Sequence, residues 1–201
     1  MNCLVVIAHP DDETIWMGGT ILRHPEWTWT VLCLCRADDP DRAPRFRSAT
    51  NALGAEGFMS DLDDSSPILQ PLSSDLHEIK QRIYLPRQSD LIFTHSERGE
   101  YTRHERHEQI HRVLCEMVES GKLNGNLLFF DYDDEGGSHL SRPVADADIK
   151  VELSLDVYER KRRIVRDIYG FGEGSFELGS SGPLEAFNVM QHDQPVELPL
   201  L

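Results

Sequence analysis

Cys3-Leu4-Val5-Val6-Ile7-Ala8-His9-Pro10-Asp11-Asp12-Glu13 is the stretch from which the rest of the chain is read. Its apolar run is too short for a buried helix and is bounded by Pro10, which marks an interior strand of a sheet covered on both faces. The strand delivers His9, Asp11 and Asp12 within four residues, and helical composition follows from about Glu13 to Leu22. The three side chains therefore sit on a strand-to-helix loop, the edge where open α/β sheets bind ligands. Two adjacent carboxylates beside an imidazole repel one another unless they hold a cation or a proton. Capping the following helix would occupy one of the acids, but neither the other acid nor the histidine.

Outward from this stretch, Trp27 to Cys35 is rich in β-branched and aromatic residues and reads as a second strand, completing a parallel βαβ unit. Cys33 and Cys35 alternate along it and are expected on one side as small core residues. A polar loop from Arg36 to Arg42 opens on the same edge as His9, and a helix through Phe46, Ala49, Ala52 and Leu53 stops at Gly54. Residues 57–71 are irregular and acidic, a short strand plus a loop tipped by Asp61, Asp63 and Asp64. Helical spacing returns at Leu76, Ile79, Ile83 and Tyr84, followed by strands at Asp90–His95 and Asn126–Phe130. Asp131–Gly137 reads as a solvated acidic turn, Val157–Tyr169 as a helix, and Phe187–Leu201 as a surface strap or part of a dimer contact. The pattern is α/β with a mostly parallel sheet, in one domain over residues 1–201.

The totals narrow the partners. With 201 residues and a net charge of −15, the chain suits one core and neither a nucleic-acid backbone nor an anionic membrane surface. No apolar run reaches membrane-spanning length, and the N-terminus lacks the features of a signal peptide. Cys3, Cys33, Cys35 and Cys115 have no zinc-ribbon spacing, which leads to the expectation of a reduced, cytoplasmic protein.

A second chemical stretch runs from Gly99 through Glu100, Tyr101, Thr102, Arg103, His104, Glu105, Arg106 and His107 to His111. Thr102 and Glu105 form a capping-box pattern, and on the helix it starts His104, His107 and His111 share one face. Ile110, Val113, Leu114 and Met117 supply the buried side. Imidazoles set opposite the His9 cluster make a mixed imidazole and carboxylate sphere, the donor chemistry of catalytic zinc, and no cysteine takes part as a structural site would require.

Ala8-His9-Pro10-Asp11-Asp12-Glu13 and the Gly99–His107 segment together resemble the PIG-L/LmbE family of zinc-dependent N-deacetylases, which remove acyl groups from N-acetylglucosamine-type sugars. The resemblance implies a single three-layer α/β/α, Rossmann-like domain. It implies Zn²⁺, or another divalent metal, held by His9, Asp12 and His107 with water in the fourth position. Asp11 is then the general base, His104 an electrostatic or acid partner, and Tyr101 the group over the substrate carbonyl oxygen. Arg42 matches the family's sugar-contacting Arg, Asp64 (or Asp63) its sugar-binding Asp, and Tyr158, Lys161, Ile168 and Tyr169 its closing helix. Three positions depart from the pattern: an extra residue lies between Tyr101 and His104, Arg106 stands in place of Asp, and Arg45 in place of an acid. The expected activity is removal of an acyl, most simply acetyl, group from an N-acetylated amino sugar or conjugate. Competing readings are an amidase acting on a non-sugar specialised metabolite, a metal-holding sugar-binding protein without turnover, and a magnesium phosphohydrolase. Two imidazole donors disfavour the last, because magnesium prefers oxygen. A small-molecule substrate is the implied partner, and a homo-oligomer is left open.

Overall fold

In the computed structural model, which describes residues 1–64, 73–84, 88–101, 104–135, 137 and 140–190, strand β1 is Asn2–Ile7 and all of it beyond Asn2 is buried. Burial on both faces is what its unbroken apolar run requires. Leu4, Val6 and Ala8 pack into one layer, and Cys3, Val5 and Ile7 into the other. After β1 come α1 (Asp12–Arg23), β2 (Thr28–Cys35), α2 (Arg42–Leu53), β3 (Glu56–Leu62), α3 (Ser73–Arg82), β4 (Gln88–Thr94), α4 (Glu105–Glu119) and β5 (Asn124–Phe130). The remaining elements are β6 (Tyr132–Asp133), β7 (Arg142–Pro143), β8 (Ile149–Glu152), α5 (Leu155–Arg163) with a π-helical turn at Ile164–Ile168, α6 (Phe176–Ser180) and β9 (Leu184–Val189).

The seven-stranded sheet runs β3-β2-β1-β4-β5-β9-β8. Neighbours from β3 to β5 are parallel, whereas β9 is antiparallel to both β5 and β8. Helices α1, α2 and α5 cover one face through Trp16, Phe46 and Val157, and α3 and α4 the other through Ile79, Ile110 and Leu114. The order reverses between β1 and β4, so the loops after these paired strands diverge and leave a crevice at their carboxyl ends. That crevice receives His9 from one strand and His95 from the other.

Several sequence expectations need revision. Residues 56–62 form an edge strand, while 65–71 fall outside the described residues, as do Thr102 of the capping box and the tail from Gln191. Phe187 is not part of a strap: it is fully buried in β9, a strand paired on both sides within the sheet. Cys33 and Cys35 do not share a core layer: Cys33 packs with Val5 and Ile7, and Cys35 with Leu32 and Leu34 on the other side, beside a shift in the β2–β3 register. Gly54 ends α2 in the left-handed conformation at φ 80, as its place after the apolar run demands.

Candidate metal and catalytic site

Three side-chain atoms face one another across the crevice. His107 Nε2 lies 3.3 Å from His9 Nδ1 and 3.6 Å from Asp12 Oδ2, and His9 Nδ1 lies 3.7 Å from Asp12 Oδ2. Donors about 2.0–2.1 Å from a tetrahedral zinc stand about 3.4 Å apart, so this triangle fits such an ion with little contraction.

Each donor is held from behind. Asp64 Oδ2 is 3.2 Å from His9 Nε2 and accepts a bond of 2.9 Å from Arg36 Nε. Glu100 Oε2 accepts from His107 Nδ1 at 2.7 Å. A carboxylate on the outer ring nitrogen puts the proton there and leaves the inner lone pair for a metal. Asp12 accepts from the Trp16 indole at 3.2 Å and from the His9 backbone N–H at 2.8 Å. Burial pushes its carboxyl up, but the imidazoles of His107, His9 and His95 outweigh this and hold it far below the usual range.

Glu100 also accepts from His95 Nδ1 at 2.9 Å, and His95 Nε2 in turn accepts the Ala8 N–H at 2.9 Å. His95, Asp12 and His107 are close enough to form an alternative donor set, but the inner nitrogen of His95 is already engaged. Burial pushes the Glu100 carboxyl up, and the His95 and His107 imidazoles overcome it to hold it at about 2. Sequence reasoning missed both residues. Glu100 adjoins the quoted Tyr101, yet only the β1–β4 pairing reveals that it ties two histidines together.

Asp11 sits at φ 124 and ψ −28 immediately before α1, a strained position for a residue with a side chain, costing about 1–3 kcal/mol. Its carboxylate accepts from Arg42 Nη2 at 2.7 Å, and the same nitrogen reaches the Pro10 carbonyl at 3.0 Å. Arg42, expected at the sugar, thus braces Asp11 while still lining the cavity. Burial first, and then Asp12, push the Asp11 carboxyl well up against the pull of Arg42.

His104 precedes α4 and stacks on His107, with ring centroids 4.4 Å apart. Burial and the neighbouring His107 and His9 push it down to about 3, so it is neutral, and its Nδ1 has no hydrogen-bond partner among the described residues. Arg106, where an acid would be expected to hold this ring, turns instead to Gln109 Oε1 at 2.5 Å and to the Asp63 carbonyl. His111 does not join the donors: one turn further along α4, its Nδ1 bonds the His95 carbonyl at 3.0 Å. Tyr101 stands 5.7 Å from His107 and 5.0 Å from Phe176, ring to ring. Burial and the charges of Asp12 and Asp11 push its hydroxyl up, which keeps the proton on it.

Of these groups, His9, Asp11, Asp12, Arg36, Arg42, Asp64, Tyr101 and His104 line a cavity of about 370 Å³, whose remaining wall is Ile15, Trp16, Phe176 and Glu177. Phe176 and Glu177 come from α6, beyond either chemical stretch, and no spacing signal links them to the site. Tyr101 also borders a second cavity of about 790 Å³ that holds His111, Cys115 and the acids Asp131, Asp133 and Asp134.

The family model described as PIG-L, GlcNAc-PI de-N-acetylase, matches residues 4–118, more than half of the chain. No curated protein sequence matches the chain. Among solved structures, the 4-carboxy-2-hydroxymuconate hydratase of Pseudomonas putida superposes with a TM-score of 0.70 at 16% identity, covering 98% of this chain and 99% of that one. The N,N'-diacetylchitobiose deacetylase of Pyrococcus horikoshii gives 0.69 at 16% identity, covering 94% and 83%. A conserved protein of Thermus thermophilus gives 0.68 at 20% identity, covering 98% and 96%. At these identities the likeness establishes the fold.

Proposed function

Because the chain belongs to the PIG-L (GlcNAc-PI de-N-acetylase) family, we propose that it is a metal-dependent N-deacetylase acting on an N-acetylated amino sugar or sugar conjugate. The observation that carries the proposal is the His9, Asp12 and His107 triangle beside a strained, buried Asp11. When bound there, a divalent ion such as zinc lowers the pKa of a coordinated water towards about 7 and polarises an amide carbonyl. His9, Asp12 and His107 would hold it, with Asp64 and Glu100 fixing the two rings.

Asp11, its basicity raised by burial, takes the proton of the attacking water and can pass it to the leaving amine nitrogen. Tyr101, kept protonated, donates to the substrate carbonyl oxygen, and a ring N–H of the neutral His104 adds to the stabilisation of developing negative charge there. Arg42 steadies Asp11 and offers its remaining N–H groups to substrate hydroxyls, and the carboxylate of Asp64 accepts from such hydroxyls.

Two measurements test this reading. Purified protein should carry about one zinc, lost in His9→Ala and His107→Ala, and should release acetate from at least one member of a panel of N-acetyl sugars. Asp11→Asn should keep the metal and lose about 100- to 10,000-fold in kcat. Undiminished metal in both histidine variants, or near-normal turnover in Asp11→Asn, would remove the mechanism. The aromatic wall of Trp16, Tyr101 and Phe176 favours one alternative, the same chemistry on a non-sugar metabolite amide. Acetate release from aryl amides and none from sugars would select it.

A further inference from the structure

Asp11 leaves β1 in a backbone region that favours glycine, at φ 124. A residue stays there only where its neighbours over-determine it. Arg42 holds the side chain. The backbone is held separately: the Asp11 N–H donates to Glu13 Oε2 at 3.2 Å. Glu13 is itself fully buried, and its other oxygen accepts from Thr14 Oγ1 at 2.5 Å and from the Tyr169 hydroxyl at 2.6 Å.

Tyr169 arrives from far along the chain, directly after the π-helical turn Ile164–Ile168. Its own N–H bonds the Ile164 carbonyl at 3.1 Å, five residues back, which is the wide spacing of that turn. Arg45 Nη1 then grips the carbonyls of Ile168 and Tyr169 at 3.0 and 2.9 Å. The arginine that departs from the family pattern is thus the group that secures the turn to α2.

We propose that Glu13 and Tyr169, with Arg45 behind them, are positioning residues for the base: they clamp the strained Asp11 backbone and so aim its carboxylate into the cavity. The proposal rests on Asp11 acting as base. The clamp explains why Glu13 and Tyr169, from distant parts of the chain, are joined where both are buried, although neither touches the donor triangle.

The test uses the full-length, zinc-loaded protein. Hydrogen exchange at the Asp11 amide, read by NMR, should be slow in the wild type and on the order of tenfold faster in Tyr169→Phe, which removes only the hydroxyl. In the same variant kcat should fall on the order of tenfold, the cost of a slightly misplaced group, with KM and zinc content within about twofold of wild type. Arg45→Gln, altered at the surface and away from the core, should move exchange and kcat the same way. Rapid wild-type exchange at Asp11 would overturn the clamp even if Tyr169→Phe fails to fold. Unchanged exchange and kcat in a folded Tyr169→Phe would reduce the contact to ordinary packing. Loss of zinc together with turnover would also overturn it, since the contact would then serve the donors. Failure of the base assignment shows elsewhere, as full turnover in Asp11→Asn.

Discussion

Asp64 and Glu100 never reach the centre of the donor triangle, yet each decides which nitrogen of an imidazole faces it. Asp64→Asn and Glu100→Gln should therefore weaken zinc binding about 10- to 100-fold while leaving the fold intact, read by competition with a chelator. Unchanged affinity in both would mean the rings are held by packing alone. The thiols give a second prediction. Burial, with the charge of Glu119 adding to it, pushes the half-buried Cys115 thiol up to about 11. A raised thiol ionises late, so alkylation of Cys115 should keep rising about tenfold per pH unit well past 8.5, where an ordinary thiol levels off. A plateau near pH 9 would contradict that environment. His9 and Asp12 were legible as a pair because they share one short stretch, whereas His107 was singled out from His104 and His111 only by resemblance. His95 and Glu100 were not, since their meaning depends on strands β1 and β4 lying side by side. Asp64 was named by resemblance as a sugar contact; its further contacts, to His9 and Arg36, could only be seen in the structure.

Among the elements, β9 shows most clearly why a strand can escape sequence reading. Glu185 interrupts its apolar run, yet that carboxylate is fully buried. It accepts from Lys161 of α5 at 2.7 Å and from the backbone of Gly19 and Thr20 in α1 at 2.8 and 2.7 Å. One buried ion pair thus joins two helices to the strand. Lys161→Met should destabilise the protein by about 3–5 kcal/mol in urea unfolding, because it leaves a buried charge uncompensated. A loss below about 1 kcal/mol would show that the α1 amides suffice alone. The long parallel elements β1, α1, β2 and α2 were legible because period and punctuation agreed there. Residues 149–152, forming β8, are too short and too charged to announce a strand without the partner that β9 provides.

For the molecule as a whole, the parallel α/β fold followed from reading one apolar run as doubly covered, and both core layers bear that out. None of the helices among the described residues is long and apolar enough to cross a membrane. A net charge of −15 leaves the folded chain with substantial self-repulsion. A cation at the triangle should relieve part of it. Zinc at about 100 times its Kd should add about 2.7 kcal/mol and raise Tm by about 5–10 °C for a chain of this size. Scanning calorimetry before and after chelation measures this, and an unchanged Tm would argue that the donors hold no ion.

The position of β9 between β5 and β8 has a consequence for synthesis. On the ribosome, β8 emerges before the strand that will flank it, and β5 waits as an open edge until β9 arrives. Every donor of the triangle, from His9 to His107, has by then been translated, whereas Tyr169 and α6 have only just followed. The nascent chain thus holds the three proposed ligands well before it holds α6, which completes the wall of the cavity. A metal bound at the triangle would therefore have its ligands translated before the cavity around it could close.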